Sequence, residues 1–128
     1  MSKKIIHYLI GILICVAFVS CFALNPLRKN ETAIKSWLLK SIPYGTDIES
    51  VADTAREKGW NVEWIHDKGY NIRNIPSEVG DYVIGDKSMR IYLGEYRNVF
   101  VTDVIAFLAF DNESKLIEIH IRKDTDAL

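Results

Sequence analysis

The sequence predicts an α+β protein in which an N-terminal membrane segment precedes two short helices packed on an antiparallel β-meander of four to five strands. Three observations predict this architecture. Residues 5–24 are apolar and carry no formal charge, apolar residues then recur at helical spacing up to residue 59, and later segments alternate between apolar and polar positions as strands do. We therefore expect the two helices to cover one face of a single sheet.

The chain divides at residue 24 into a leader and one domain, residues 25–128. With 128 residues, of which 48% are hydrophobic, it is long enough for one core. Without Lys3 and Lys4 in the leader, 14 basic residues face 17 acidic ones, so the domain is mildly acidic. It lacks the cationic stripe needed to neutralise phosphates, which argues against nucleic-acid binding.

The leader, residues 1–24, has three interpretations. Two lysines precede an apolar run that ends at residues 17–21. This pattern resembles a secretory signal that ends in a bacterial lipobox, in which Cys21 is lipidated and becomes the new N-terminus. Alternatively the segment is an uncleaved transmembrane anchor, since about twenty residues at a 1.5 Å rise span a hydrocarbon core of about 30 Å. The third interpretation is plain secretion, in which the domain keeps neither a lipid nor an anchor. The first two attach the domain to membrane lipid, facing the periplasm or the outside of a bacterial cell.

The first helix of the domain is expected to end at Ser41. It begins after Asn25, which caps a helix with Pro26 at its first position, or after Asn30, a second N-cap candidate. Its apolar stripe comprises Ala33, Ile34, Trp37 and Leu38. Residues 42–45 then break it.

The second helix is expected to begin at a capping box, in which Thr46 and Glu49 each satisfy a backbone N–H group at the helix start. Ile48, Val51, Ala52 and Ala55 form its apolar stripe. Gly59 is a natural C-terminal cap because glycine adopts the left-handed conformation without strain.

The strands follow, and their period is 2. The first expected strand is residues 60–66, and a hairpin then pairs 81–84 with 89–94 around a turn at 85–88. A long central strand follows at 99–110. In the return strand, Ile117, Ile119 and Ile121 face the core while Glu118, His120 and Arg122 face solvent. Residues 67–77 are expected to form a turn and a loop, and residues 123–128 to fray. Asp103 in the central strand has three interpretations. It lies on the solvent-exposed face, it prevents edge-to-edge pairing with another sheet, or it forms an ion pair with Arg90 or Arg122.

One stretch resembles a known family. Residues 38–46 read Leu-Leu-Lys-Ser-Ile-Pro-Tyr-Gly-Thr between two helices, and residues 47–51 open the second helix before a meander. This layout resembles the small lipoproteins of the SmpA/BamE type and the related β-lactamase-inhibitor-like fold. The resemblance implies a protein-binding module of the bacterial envelope, with no catalytic residues.

The aromatic residues are the strongest candidates for a binding surface, because Tyr and Trp carry much of the energy of protein interfaces. Candidate partner-binding residues are Trp60, Tyr70, Tyr82, Tyr92 and Tyr96, together with Glu118, His120 and Arg122, whose i, i+2, i+4 spacing places them on one strand face. Trp64 belongs to the same aromatic group. The simpler interpretation of any single aromatic residue is core packing, and of the polar row a solvated strand face.

Catalysis is the alternative class. His66 beside Asp67 could act as an oriented general base, and the row formed by Glu118, His120 and Arg122 could recognise a small ligand. Both cysteines, Cys15 and Cys21, lie in the leader, so the domain has no thiol for a disulfide, zinc site or nucleophile. No cofactor or metal site is predicted.

The sequence thus favours a non-enzymatic, membrane-tethered envelope protein that binds another protein. Two versions stay open, an assembly or scaffold lipoprotein and an immunity-type inhibitor that masks a toxin. The acidic domain suits the second if the toxin is basic, because complementary charge accelerates encounter.

Overall fold

The computed structural model of the chain describes residues 2–23, 25–71 and 83–126, and for residues 16–23 it describes the backbone alone. The helices are α1 (Lys3–Ala23), α2 (Glu31–Ser41) and α3 (Ile48–Glu57), with a short 3-10 helix (Pro26–Arg28) between the first two. The strands are β1 (Asn61–His66), β2 (Tyr70–Asn71), β3 (Val83–Ile84), β4 (Lys87–Arg97), β5 (Val101–Phe110) and β6 (Leu116–Thr125). The predicted α+β class is confirmed.

The main sheet is antiparallel, has four strands, and follows the order β1-β4-β5-β6. As predicted, the apolar β5 lies inside the sheet, between β4 and β6. The predicted hairpin between residues 81–84 and 89–94 is wrong. Instead β3 pairs with β2 in a separate two-stranded sheet, and β4 pairs with β1 and β5. Residues 81 and 82 lie outside the described residues.

Both N-cap candidates of the first predicted helix are used. The Asn25 side chain accepts a hydrogen bond from the Leu27 N–H and starts the 3-10 helix, while the Asn30 side chain accepts one from the Ala33 N–H and starts α2. Two caps five residues apart thus divide the predicted helix into a short turn and α2.

The cap of α3 lies one residue later than predicted. The Asp47 carboxylate accepts a hydrogen bond from the Ser50 N–H at 3.2 Å, whereas the Thr46 hydroxyl donates to the Pro43 carbonyl at 2.6 Å. The predicted capping box is therefore wrong, because the turn before the helix already occupies the threonine. The predicted C-terminal cap is confirmed, since Gly59 has φ +76° and directly follows the last turn.

The core lies between the two domain helices and one face of the sheet. The buried members are Ile34, Leu38 and Ile42 near α2, Val51, Ala52 and Ala55 of α3, and Met89, Ile91, Leu93, Val104, Ala106, Leu108, Phe110, Leu116, Ile119 and Ile121 of the sheet. The predicted apolar stripes of both helices therefore face the sheet.

Register shifts interrupt the pairing of β1 with β4, of β4 with β5 and of β5 with β6, and each changes the face that the following residues occupy. Between Ala109 and Phe110 the register shifts so that Phe110 pairs with Leu116, which leaves Ile117 as the extra residue. Ile117 is 44% exposed, so only two of the three predicted core isoleucines are buried. The prediction that the tail frays from residue 123 is wrong as far as Thr125, because β6 pairs with β5 up to that residue.

The short pair β2–β3 is held close to the main sheet through glycine. A Cβ atom on Gly85, which has φ +79°, would lie 2.9 Å from the Phe110 carbonyl oxygen of β5, and one on Gly69 would lie 2.2 Å from the backbone oxygens of Ile84 and Gly85. The Asp86 N–H donates to the Phe110 carbonyl at 2.8 Å. This close approach fixes the position of Tyr70, the first residue of β2.

The described side chains of helix α1, those of residues 3–15, are not buried in the domain. Residues 2–15 are exposed all round the helix, including Tyr8 and Leu13. A helix that is apolar on every face is expected to lie in a large core or in lipid, and these residues are not part of the core of the domain. Among the residues that the structure describes, no helix meets the length and hydropathy required to cross a membrane. The membrane segment predicted from residues 1–24 stays a prediction.

Candidate functional site: the uncovered face of the sheet

The face of the sheet opposite the helices carries a row of large side chains that crosses all four strands. Trp64 pairs with Arg90, Arg90 with Phe107, and Phe107 with His120, so the four residues stand side by side. Tyr70 packs over the row, with its ring centroid 6.0 Å from that of Phe107 and 6.4 Å from that of His120. We call this arrangement the aromatic row.

A groove of about 1220 Å³ follows the aromatic row and passes round the edge of β6 to α2. Its remaining lining comes from Glu31, Thr32 and Lys35 of α2, from Asn71, and from β6 residues Ile119 and 121–124. We call it the open-face groove. Its volume exceeds the roughly 300–1,000 Å³ of typical small-molecule pockets, and its floor is aromatic.

Of the four cations that line the groove, Lys35, Arg90 and Arg122 are paired with carboxylates of the domain, whereas Lys123 donates to the Lys29 carbonyl. Arg90 Nε lies 2.5 Å from a carboxylate oxygen of Glu63, so the two side chains form an ion pair. Arg122 Nε donates to Asp124 at 2.8 Å. The Arg90 guanidinium also lies 5.4 Å from the Phe107 ring centroid. The groove therefore offers an aromatic floor with a balanced polar rim, not an excess of positive charge.

Glu118 does not stay with His120 and Arg122 as the strand spacing predicts. Its carboxylate accepts hydrogen bonds from Lys35 of α2, from the Tyr44 hydroxyl at 3.2 Å, and from the Ile119 N–H at 2.9 Å. Because β6 is an edge strand, the side chain can turn round the edge of the sheet and fasten α2 to it. Partial burial raises the pKa of Glu118, but these hydrogen bonds and the Lys35 charge outweigh it, so the pKa lies below its ordinary value.

We expect Glu118→Gln to lower the free energy of unfolding at pH 7 by about 0.5–1 kcal/mol, since a third or more of each paired side chain is exposed to screening solvent. A carboxyl group whose pKa is lowered by folding stabilises the protein above its unfolded-state pKa, and that contribution is lost as the pH falls through the folded-state value. The difference between variant and wild type should therefore shrink below pH 4.5, the ordinary pKa of Glu. Urea denaturation in detergent solution at pH 7 and pH 3 measures it.

Asp53→Asn is the matched control, because Asp53 pairs with Arg56 at 3.2 Å on an exposed helix surface. We expect a change close to zero at either pH. A Glu118→Gln variant as stable as the wild type at pH 7 would mean that this edge contact does not fasten α2.

Tyr70 is buried in the aromatic row, and among the described residues no partner lies within hydrogen-bonding distance of its hydroxyl. Burial, followed by the nearby Glu118 carboxylate and Tyr44, raises the pKa of the phenol well above its ordinary value. Tyr70 therefore stays neutral and contributes an aromatic surface, not an ionised base.

Among the described residues, no hydrogen bond joins the predicted pair His66–Asp67. The His66 ring stacks on Trp64 with a centroid separation of 4.1 Å and an interplanar angle of 11°. The register places Ser88 opposite His66, which the sequence spacing did not reveal. That serine is 1% exposed, and its hydroxyl donates to the Lys68 carbonyl at 2.6 Å, so it is not available as a nucleophile activated by the histidine.

The other predicted aromatic residues do not share one surface. Trp60 packs edge-on against Trp37 at 5.5 Å and adjoins the core on the covered face. Tyr96 also adjoins the core, and Tyr82 lies outside the described residues. Tyr92 stands on the uncovered face, where its hydroxyl donates to Asp103 at 2.9 Å.

The Tyr92 contact explains the carboxylate inside β5. Asp103 pairs with a phenol instead of the predicted Arg90 or Arg122. Burial, reinforced by the hydrogen bond to Asp103, raises the pKa of Tyr92 to about 12. The phenol is therefore protonated and able to donate this hydrogen bond at any pH near neutrality.

Phe107 and Arg90 are the members of the aromatic row that the sequence did not single out. A signal was available, since Phe107 and Asp103 are four residues apart in β5 and so share a face. The polar residue thus marks the uncovered face, and Phe107 belongs with it. Cys21, the predicted lipidation site, lies in the part of α1 for which the backbone alone is described.

Within the described ranges, no three His, Cys, Asp or Glu side chains converge as metal ligands. Comparisons with protein-family models, with curated proteins and with solved structures find no match to this chain. The resemblance of residues 38–51 to the SmpA/BamE type therefore stays a prediction.

Proposed function

We propose that this protein is a non-enzymatic module of the bacterial envelope, tethered to the membrane by its leader, that binds a partner protein through the open-face groove. The observation that carries the proposal is the aromatic row, which leaves large aromatic side chains on the one sheet face that the helices do not cover. Interfaces concentrate their energy in such aromatic clusters surrounded by a polar rim.

The charge around the groove favours a protein over a small anion. Three of the four cations that line the groove, Lys35, Arg90 and Arg122, already have a carboxylate neighbour that an anion would have to displace, which leaves Lys123 at the rim as the exception. A protein partner instead gains from covering aromatic surface while the rim ion pairs stay in place or exchange with its own charges.

Two features support the tether. The leader contains lysines, a long uncharged run and a lipobox-like ending at Cys21. The side chains of residues 5–15 are exposed, so they are not needed to complete the core of the domain. A lipidated or inserted leader would place the domain at the membrane surface, where it meets envelope proteins at high effective concentration.

Two kinds of partner fit. The mildly acidic domain favours a basic toxin that this protein would neutralise, and the tether favours an envelope complex that it would help to assemble. A secreted basic enzyme bound to the groove would identify an inhibitor, and a resident envelope protein would identify a scaffold.

The test is affinity capture from detergent-solubilised envelope with full-length wild type and two groove variants, Trp64→Ala and Arg122→Ala. We expect one protein to be recovered by the wild type and its recovery to fall at least about tenfold with Trp64→Ala, as for a central aromatic residue of an interface. Arg122→Ala should reduce it less, because this arginine lies at the rim.

Arg56→Ala is the matched control for the rim variant. Both arginines are exposed and form an ion pair with an aspartate on their own element, but Arg56 lies on α3, away from the groove. Recovery that is equal for the wild type, Trp64→Ala and Arg56→Ala would contradict binding through the groove.

A further inference from the structure

The turn between β4 and β5 exposes apolar side chains that the domain does not use. Val99 is 86% exposed and Phe100 is 42% exposed, although both lie beside a long apolar strand that could have accommodated them. Residues 97–100, here called the hairpin tip, therefore form an end of the sheet at which apolar side chains are exposed.

The hairpin tip is bonded to the start of the domain. The Arg28 guanidinium donates to the Asn98 side chain at 2.6 Å and to the Arg97 carbonyl at 2.9 Å. Leu27, one residue earlier, packs close to Gly94 of β4. The end of the sheet that carries the tip is thus fixed to the segment through which the domain joins its leader.

This connection limits the distance between the tip and the membrane. Seven residues separate Cys21 from Arg28, which span at most about 25 Å even when fully extended. The opposite end of the sheet, at the β5–β6 turn, lies roughly the length of β5 farther away, or about 34 Å for ten residues. Of the two ends, the hairpin tip is the one that the tether holds near lipid.

Four cations lie at the same end of the sheet, among acidic residues. Tyr96 lies between two cations, with the Arg28 guanidinium 5.3 Å and the Lys123 ammonium 5.0 Å from its ring centroid. Lys123 donates to the Lys29 carbonyl, which brings a third cation to this side. Arg97 adds a fourth at the tip. Acidic residues lie at the same end, with Glu95 opposite Asp103, Asp103 opposite Asp124, and Asp126 donating its N–H to the Val101 carbonyl. Tyrosine with Lys and Arg is the composition found at membrane–water interfaces.

We propose that the hairpin tip is a second membrane contact, in which Val99 and Phe100 enter the interface of the bilayer while Arg28, Lys29, Arg97 and Lys123 face lipid phosphates. The inference rests on the proposed tether and deepens it. With two contacts, the leader and the tip, the domain no longer pivots about its leader, and the β5–β6 end points away from the bilayer. The open-face groove is then presented sideways to neighbouring proteins.

The test uses tryptophan quenching to measure how deeply the hairpin tip enters the bilayer. Full-length protein is reconstituted into phosphatidylglycerol–phosphatidylcholine vesicles whose acyl chains carry bromine, which quenches nearby tryptophan. We expect the fluorescence added by Phe100→Trp, after subtraction of the wild-type signal from Trp37, Trp60 and Trp64, to be quenched at least threefold more than that added by Asn112→Trp. Asn112 is the matched control because it is exposed in the hairpin turn at the opposite end of the sheet. Val99→Trp is a second reporter and should behave as Phe100→Trp does.

Flotation of the same vesicles distinguishes the two proposals. Protein that floats with the vesicles while Phe100→Trp and Asn112→Trp are quenched equally would overturn the second contact and leave the tether in place. Wild-type protein that does not float would overturn the tether and this inference with it. Strong quenching that falls when phosphatidylglycerol is omitted supports the cationic part of the contact, and equal quenching without it would overturn that part.

Discussion

Phe110→Ala should lower the free energy of unfolding by about 3–5 kcal/mol, the loss typical of a large aromatic side chain removed from a core. Phe110 has no exposed surface, and it ends the central strand where β4 and β6 pair with it. Because small domains are stable by only about 5–15 kcal/mol, the variant should be close to unfolding at 37 °C. Urea denaturation followed by far-UV circular dichroism measures the difference.

Phe100→Ala removes the same atoms from the other end of β5 and serves as the control. Since Phe100 lies partly exposed at the hairpin tip, we expect a change within about 0.5 kcal/mol. Equal losses from the two substitutions would mean that the core does not lie between the helices and the sheet.

Cys21→Ala should abolish lipidation and release the protein from the membrane if the leader ends in a lipobox. The thioether that holds the lipid forms on the cysteine sulfur, so alanine leaves no site for it, and the fraction of protein in the membrane pellet should fall severalfold. Fractionation, combined with incorporation of radiolabelled palmitate, measures both effects.

Cys15→Ala is the matched control, because Cys15 lies in the same apolar segment six residues earlier. It should keep both the lipid label and the membrane pellet. If Cys21→Ala instead keeps the mobility and membrane retention of the wild type, the leader is an uncleaved anchor and the lipobox interpretation is wrong.

The helical part of the domain could be predicted closely because its signals are local. Asn30 and Gly59 mark the ends of α2 and α3 through side-chain and backbone conformations that depend on few neighbours. The cap of α3 was placed one residue early because Thr46 and Asp47 are both good caps. Only the turn, in which Thr46 donates to Pro43, decides between them.

The strand pairing was harder to predict because it depends on distant contacts. The two-residue strand β3 has too few positions to specify a partner, so the Gly-Asp turn after it suggested a hairpin with β4. In the structure that turn instead donates a hydrogen bond from Asp86 to Phe110, and β3 pairs with β2. No local signal distinguishes these two outcomes.

The residues that share the site are determined by β-bulges, and the period-2 pattern of the sequence does not reveal where these bulges lie. Tyr92 and Tyr96 are four residues apart and would share one face of a regular strand. The register shift between Tyr92 and Gly94 reverses the alternation, so Tyr92 stands on the uncovered face while Tyr96 packs beside the core. The sequence therefore predicted an aromatic surface that includes Tyr70 and His120, whereas Phe107 entered the site only through the register of β5.

The central claim, that the open-face groove binds a protein at the membrane, is tested most directly by photo-crosslinking in intact cells of the native host. Thr32 lies exposed at the groove rim, and Glu57 lies exposed at the end of α3, outside the groove. Each is replaced in turn by p-benzoylphenylalanine in the full-length protein. The proposal predicts a discrete protein adduct in the membrane fraction from position 32 that position 57 does not give; no adduct from position 32, or the same adducts from both positions, would contradict it.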